Sequence, residues 1–251
     1  MVSHELLEIM GPAFAASLLI ALTHAPLGLE VLRRGIIFID LAIAQIAGLG
    51  LVITGIYWPE PQAWVLQLAA LACALTAGLA FHHIERRLPH LQEAIIGCSF
   101  VLAASLALLM LADHPHGGEE IQHLLSGQIL FLSWRDVFYH APVYAVILAV
   151  WYLKPALRKN LGFFVLFALA ITSSVQLAGV YVVFASLILP ALAAAGSRNP
   201  LVYAWGCGIG AMVAGLTLSM VTDYPAGPLV VCSYAVLAAA LAVTKRIRIS
   251  D

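Results

Sequence analysis

The sequence has little charge for its length. Only 10% of its 251 residues are charged, while 63% are hydrophobic. A soluble domain usually carries about 25% charged residues, so this composition excludes an ordinary water-soluble protein. The formal net charge of −1 also gives no sign of attraction to nucleic acid. Lipid is therefore the expected solvent for most of the chain.

The sequence also lacks the motifs of several enzyme classes. It contains no GxxxxGK[ST] loop for ATP phosphates, no HExxH zinc pair and no GxSxG nucleophile elbow. All four cysteines, which are Cys73, Cys98, Cys207 and Cys232, lie in apolar stretches, which is typical of helix packing and not of a disulfide framework or a zinc knuckle. A polytopic protein without a catalytic constellation usually moves or senses a substrate. We therefore expect no enzymatic activity in this chain.

Long apolar runs are abundant. A helix needs about 20 apolar residues to cross the roughly 30 Å core of a bilayer. The runs are continuous and rich in Leu and Ala, which excludes the alternating pattern of barrel strands. Nine stretches are found, near residues 7–23, 36–57, 63–81, 94–112, 137–153, 162–178, 180–195, 201–221 and 228–244. The sixth and seventh are short and nearly fused at Gly179, so they are either two helices or one span and a broken half-helix. The sequence predicts an all-α membrane bundle of eight or nine transmembrane helices.

The basic residues predict the orientation of these helices, because Lys and Arg accumulate in cytoplasmic loops. Eleven of the twelve follow odd-numbered stretches, and Arg135 is the exception. The eleven are Arg33, Arg34, Arg86, Arg87, Lys154, Arg158, Lys159, Arg198, Lys245, Arg246 and Arg248. We therefore predict that the N-terminus lies outside and the C-terminus inside.

Three prolines and a glycine predict local backbone features. Pro190 lies inside the seventh stretch and is expected to kink or end that helix. Residues 223–228 read as a turn between two helices, in which Pro225 and Pro228 fix φ and Gly227 permits a positive φ.

Six short segments, taken in order along the chain, carry a resemblance to a known family. They are residues 24–28 with 31–34, 93–97, 125–130, 179–180, 187–191 and 223–228. Their order and spacing are similar to the "PLG…vLRR", "DAxIG", "LxGxIL", "VGvLLvsaLLilPA" and "DlPsGP" signatures of the permease subunits of ABC importers for zinc, manganese and iron. The resemblance covers most of the chain and implies that residues 1–251 form a single transmembrane permease domain.

The resemblance implies a function and a set of partners. The chain would be the permease of an ATP-driven importer for a divalent transition metal ion in the inner (cytoplasmic) membrane. Two copies would form a homodimer, a separate ABC ATPase subunit would bind ATP, and an extracytoplasmic metal-binding protein would deliver the ion. The transported ion is then cargo, and no permanently bound cofactor or nucleic acid partner is expected.

Two alternative functions stay open. One is a permease for a larger metal chelate such as a siderophore or cobalamin, although such permeases usually have about ten spans. The other is an intramembrane metalloenzyme that uses Asp40 and an external His-rich loop.

The second stretch contains the candidate metal ligands Asp40 and Gln45. The family commonly has Asp and His four residues apart, on one helix face, whereas this sequence has Ala44 at that spacing. Five residues correspond to about 140° around a regular helix, so Asp40 and Gln45 share an ion only if a π-bulge re-aims one of them. An amide ligand favours a harder ion such as manganese. Alternatively, Asp40 is an interfacial carboxylate paired with Arg33 or Arg34.

An external loop offers a second candidate metal site. Residues 113–123 contain six potential ligands, among them His114 and His116. We predict that the loop captures a divalent ion or receives it from a binding protein. A solvated polar loop is the alternative.

Residues 154–162 resemble the family's "DPExAxxLG" coupling segment, the short helix that docks on the ATPase. Pro155 suits a first helical turn and Gly162 the position after a helix, so a helix of about two turns is predicted. Lys154 and Ala156 replace the family's acidic residues, and the ATPase partner is therefore not specified. A basic loop facing anionic lipid is the alternative. The predicted ATPase-coupling residues are Pro155, Leu157, Arg158 and Gly162.

Overall fold

The computed structural model describes residues 2–58, 60–111, 127 and 129–250. Those ranges contain nine α-helices and no strand, which confirms the predicted all-α class. The helices are α1 (Val2–Arg34), α2 (Ile39–Tyr57), α3 (Ala63–Arg87), α4 (Gln92–Leu111), α5 (Trp134–Leu153), α6 (Asn160–Ala178), α7 (Val180–Ala194), α8 (Pro200–Thr222) and α9 (Ala226–Ser250). Short 3-10 helices are found at Pro89–Leu91, Ile129–Phe131 and Pro155–Arg158.

Eight of these helices are long and apolar enough to cross a membrane. The exception is α7, whose 15 residues extend only about 22 Å at 1.5 Å per residue. Gly179 separates α6 from α7 with a φ of 79°, a conformation that favours glycine. The prediction of eight or nine transmembrane helices is therefore confirmed with eight spans, and α7 is a broken half-helix that follows α6.

The first helix is longer than predicted. The first apolar stretch was placed near residues 7–23, but α1 also includes residues 24–34, so the predicted end of this helix was wrong. Pro26 removes the N–H that would bond to the Leu22 carbonyl four residues earlier. That carbonyl instead accepts a hydrogen bond of 3.2 Å from the indole Nε1 of Trp205 on α8. A neighbouring helix thus satisfies the freed carbonyl, and the proline is tolerated.

Two other backbone predictions also need correction. Helix α7 continues past Pro190 to Ala194, so the proline does not end it. In the turn between α8 and α9, the positive φ of 56° belongs to Asp223, and Gly227 is already in the first turn of α9. Aspartate is one of the few residues that tolerate this conformation. The Ser219 hydroxyl stabilises the turn by donating to the Tyr224 carbonyl over 2.6 Å.

Two hydrophobic clusters hold the bundle together. One includes most of the buried side chains of α2, α3 and α6, and the other joins α8 and α9 to the N-terminal half of α1. Helix α7 contributes buried residues to both clusters and also packs against α1, α8 and α9. This short helix is therefore fixed at the junction between the two parts of the bundle.

Candidate functional site

A cavity of about 730 Å³ lies between α2 and α4 on one side and α7 and α9 on the other. We call it the central groove; its wall includes Leu41, Gln45, Gly48, Phe100, Ala104, Tyr181, Phe184, Pro228, Val231 and Cys232. Most of this wall is apolar. Among the described residues that line it, Gln45 is the only amide, and its side chain is half-buried.

Asp40 lies in the first turn of α2 and is only 1% exposed. Both oxygens of its carboxylate are buried without a hydrogen-bond partner. The negative charge of Glu93 acts on this carboxylate electrostatically. A carboxylate inside a membrane helix is costly and usually has a function. No ion pair with Asp40 is found among the described residues.

The predicted alternative partners of Asp40 are engaged elsewhere. The Arg33 Nε donates to Glu30 Oε2 over 2.8 Å. The Arg34 Nε donates to Glu30 Oε1 over 2.8 Å, and its Nη1 donates to Glu85 Oε1 over 2.7 Å. The structure therefore does not support an interfacial ion pair between Asp40 and Arg33 or Arg34.

Glu93 was missed as a candidate ligand by the sequence analysis. It lies in the first turn of α4, where its Oε1 accepts a hydrogen bond of 3.1 Å from the backbone N–H of Phe38. Its Oε2 and both carboxylate oxygens of Asp40 are buried without a hydrogen-bond partner. The available signal was the position of Glu93 at the start of the "DAxIG"-like segment. Three unsatisfied carboxylate oxygens thus lie where α2 and α4 begin.

The structure does not bring Asp40 and Gln45 together. Helix α2 is a regular α-helix throughout Ile39–Tyr57, with no π-bulge. Asp40 is buried between helices, whereas Gln45 faces the central groove. These two side chains therefore do not share one ion in this conformation. Within the described ranges, no group of three or more His, Cys, Asp or Glu side chains is placed to hold a metal ion.

The candidate ligands His114 and His116 lie outside the described residues. A cavity of about 650 Å³ opens at the end of the bundle where α9 begins. It is bounded by Met10, by the 3-10 helix Ile129–Phe131 and by residues 223–228 of the turn between α8 and α9. The "DlPsGP"-like segment is therefore part of a concave surface at this end of the molecule.

A chain of hydrogen bonds crosses the buried interior and was not predicted. Tyr144 Oη contacts Ser174 Oγ over 2.8 Å, and Ser174 Oγ contacts His24 Nε2 over 2.9 Å. His24 Nδ1 contacts Ser186 Oγ over 2.6 Å, and that hydroxyl donates to the Val183 carbonyl over 2.8 Å. Because Ser186 already donates, His24 Nδ1–H donates to it, and Nε2 accepts from Ser174. His24 is thus a neutral, fully bonded link between α1, α5, α6 and α7.

The predicted coupling segment is shorter than expected. Only the single 3-10 turn Pro155–Arg158 forms, so the prediction of a two-turn helix was wrong. The extended backbone of Lys159 and the positive φ of 50° at Asn160 interrupt the helix, and α6 begins there. Pro155 and Leu157 are exposed, as a docking surface requires.

The inner side of this segment is fixed to the bundle. The Arg158 Nε donates to the Trp151 carbonyl, and its guanidinium lies over the rings of Trp151 and Tyr152. Gly162 lies inside the first turn of α6 and not after a helix end. A Cβ at this position would be 2.1 Å from the Leu157 carbonyl oxygen, so only glycine fits.

The comparisons with known proteins agree with this fold. The sequence matches the ABC 3 transport family over residues 6–161 and 155–245. No curated protein matches it significantly. The fold is similar to that of PsaBC from Streptococcus pneumoniae, solved in complex with a Fab, at 20% identity and a TM-score of 0.73, with 96% of this chain and 95% of that chain covered. It is also similar to an inward-facing structure described as a metal-chelate type ABC transporter, at 14% identity and a TM-score of 0.68, with 97% and 89% covered.

At 20% and 14% sequence identity, the two solved structures show only that the fold is shared. The family is shown by the sequence match, which extends over nearly the whole chain. The apolar helices, the ordered signatures and the family match all lead to the same assignment. This chain belongs to the ABC 3 transport family and is a multi-pass membrane protein.

Proposed function

We propose that this permease carries a divalent transition metal ion, zinc, manganese or iron, and that Asp40 binds the ion on its route. The observation that supports this is the carboxylate pair Asp40 and Glu93, with three buried oxygens that have no hydrogen-bond partner. Two carboxylates held away from water repel each other and lose hydration. A divalent cation compensates both effects, since it supplies opposite charge and accepts carboxylate oxygens as ligands.

A second copy of the chain completes the proposed route. A pair of carboxylates is too few ligands for a transition metal ion, which takes four or more. In a homodimer, two central grooves with their Gln45 side chains would face a shared path, and the ion would pass from these amides to Asp40. The ion also keeps part of its hydration shell. His114 and His116 stay candidates for first contact with the ion outside the membrane.

The energy for transport comes from a separate subunit in this proposal. The chain has no ATP-binding loop, so an ABC ATPase would dock on residues 154–162 through Pro155, Leu157 and Arg158. An extracytoplasmic metal-binding protein would deliver the ion at the opposite end, where the turn of residues 223–228 borders the 650 Å³ cavity. The orientation predicted from the basic residues then places this importer in the cytoplasmic membrane with its N-terminus outside.

A bare or partly hydrated ion is favoured over a chelate. The described residues contain eight candidate spans, fewer than the roughly ten expected of permeases for siderophores or cobalamin. Membership of a transport family also favours transport over an intramembrane metalloenzyme.

The proposal is tested by metal accumulation in cells that carry the complete transport system. Asp40→Asn removes the charge at nearly constant volume, and we expect accumulation of the transported ion to fall at least about tenfold, the effect of losing a charged ligand. Glu60→Gln is the matched control, since Glu60 is an exposed carboxylate outside the helices. Unchanged accumulation of zinc, manganese and iron with Asp40→Asn, at equal amounts of permease in the membrane, would remove Asp40 from the route.

A further inference from the structure

Arg34 is a largely buried arginine that contacts several elements of the bundle, unlike a solvent-exposed surface charge. Its side chain is 12% exposed, against 71% for the adjacent Arg33. From the last turn of α1, its Nε and Nη1 donate to Glu30 on α1 and to Glu85 on α3. Its guanidinium also stacks over the ring of Phe163 in the first turn of α6, at 4.3 Å from the centroid. One planar cation thus joins three helices.

Arg34 also contacts the docking segment directly. Its Nη2 lies 3.4 Å from the carbonyl oxygen of Arg158, the last residue of the 3-10 turn Pro155–Arg158. The segment's other contacts, through Arg158 to Trp151 and through Leu157 to Gly162, are with the two helices that flank it in the chain. Among the described residues, Arg34 is therefore the side chain whose hydrogen bond connects this segment to α1 and α3.

A short, bonded turn leads from Arg34 to the carboxylate pair. The turn is closed by backbone hydrogen bonds from Gly35 to Leu32 and from Ile36 to Val31, at 3.2 Å and 3.3 Å. Two residues later the N–H of Phe38 donates to Glu93, and α2 begins at Ile39 with Asp40 next to it. Only five residues, held by these hydrogen bonds, separate Arg34 from Asp40. A shift of Arg34 is therefore expected to move the backbone next to Asp40 and Glu93.

We propose that Arg34 is the positioning residue that transmits movement of the docking segment at residues 154–158 to α1 and to the carboxylate pair at the start of α2 and α4. This inference rests on the proposed ATPase docking at that segment. When the ATPase subunits move the segment, the Arg158 carbonyl and the Phe163 ring displace the guanidinium. The ion pair with Glu85 then moves the ends of α1 and α3 together, and the turn at residues 35–38 moves with them.

The test compares Arg34→Gln with Arg33→Gln in the complete complex. Both changes remove one arginine charge from the same helix turn, but within the described part of the chain the side-chain hydrogen bonds of Arg33 go to Glu30 alone. Four quantities are measured: permease in the membrane, ATPase co-purified with it, ATP hydrolysed by the complex, and zinc, manganese and iron accumulated by cells. For Arg34→Gln we expect ion accumulation per ATP hydrolysed to fall at least about tenfold, as for the loss of charged hydrogen bonds. Permease and co-purified ATPase should stay at wild-type amounts, and Arg33→Gln should transport normally.

Two results would overturn the role of Arg34. One is transport by Arg34→Gln within about twofold of wild type, and the other is a loss of transport matched by an equal loss of bound ATPase.

If Arg34→Gln does not accumulate in the membrane, a second variant, Glu85→Gln, tests the proposal, because it keeps a hydrogen-bond acceptor and removes only the ion pair. Glu85→Gln is expected to lower the number of ions moved per ATP hydrolysed about threefold at normal permease amounts. An unchanged ratio would overturn the proposal.

The wild-type complex separates this inference from the proposed function. If no ATPase co-purifies with the wild-type chain, or if wild-type cells accumulate no metal, both proposals fail together. A wild-type complex that transports, with Arg34→Gln variants that transport equally well, overturns the role of Arg34 alone.

Discussion

Asp40 and His24 are both buried polar side chains in membrane helices, but their surroundings give them different roles. His24 has a hydrogen-bond partner on each ring nitrogen, which is the arrangement of a structural link. The carboxylate of Asp40 has no such partner. An unsatisfied polar group in a membrane interior is retained for a functional reason. At the scale of single residues, the difference in hydrogen bonding supports a structural role for His24 and agrees with the proposed role of Asp40 in binding the ion.

The structural role of His24 predicts a loss of stability on substitution. His24→Ala removes one hydrogen bond from each of the hydroxyls of Ser174 and Ser186 and opens a cavity, for a cost of about 2–4 kcal/mol. The measurement is the thermal unfolding midpoint of the purified permease in detergent. His90→Ala, at an exposed position, is the control. Equal midpoints for the two variants would show that the hydrogen-bond chain does not stabilise the fold.

Gln45 predicts which ion the permease prefers. Its amide oxygen suits a hard ion such as manganese, whereas an imidazole suits zinc. Gln45→His should therefore raise the ratio of zinc to manganese accumulated by cells by about tenfold or more, since changes at a metal site alter affinity by about one to two orders of magnitude. Gln45→Leu removes the ligand without adding an imidazole and serves as control. A ratio that stays constant in Gln45→His would mean that the central groove does not select the ion.

The sequence was sufficient to single out Asp40, because a carboxylate inside a predicted apolar span is unusual by itself. It was not sufficient for His24, whose partners Ser174 and Ser186 are 150 and 162 residues away in the chain. Spacing along one helix cannot reveal a contact that tertiary packing alone creates. Glu93 was missed for the same reason, since its relation to Asp40 depends on how α2 and α4 meet.

At the scale of elements, hydropathy predicted the helices well and their ends poorly. The apolar runs correspond to the nine helices of the described ranges because burial in lipid requires both length and apolarity. The end of α1 was misplaced because the first apolar run ends near residue 23, whereas the helix continues past Pro26. The Leu22 carbonyl that Pro26 leaves free is satisfied by Trp205, which is 183 residues from Leu22 in the chain. The docking segment was predicted too long because the positive φ at Asn160 has no strong sequence signal.

The tight contact between Gly162 and Leu157 predicts that the docking segment depends on glycine. In Gly162→Ala the new methyl group would collide with the Leu157 carbonyl, so the segment must move. We expect the ATPase to be lost from the purified complex while the permease still inserts into the membrane. Gly97→Ala is the control, because a Cβ there meets no atom within 4 Å. Retention of the ATPase by Gly162→Ala would argue against docking at residues 154–162.

At the scale of the whole molecule, the contacts of Arg34 place the ends of α1 and α3 next to the docking segment. These are basic ends, as the rule for cytoplasmic loops requires of one face. The exposed residues Glu60 and Lys154 belong to loops predicted to lie on opposite sides of the membrane. The predicted orientation is therefore open to a direct chemical test.

Labelling of single introduced cysteines shows on which side of the membrane each loop lies. The four native cysteines are first replaced by alanine. Intact cells then receive a membrane-impermeant thiol reagent. Glu60→Cys should react in intact cells, and Lys154→Cys should react only after the membrane is opened. Labelling of Lys154→Cys in intact cells would reverse the orientation and place the docking segment outside.

The central claim is that this permease, driven by a partner ATPase, moves a divalent metal ion along a route that includes Asp40. It is tested most directly in proteoliposomes that contain the purified permease–ATPase complex, with ATP sealed inside and metal-loaded binding protein outside. The account predicts accumulation of zinc, manganese or iron that requires ATP hydrolysis and is abolished by Asp40→Asn. Metal entry that is equal with and without ATP, or equal in the wild type and in Asp40→Asn, would contradict it.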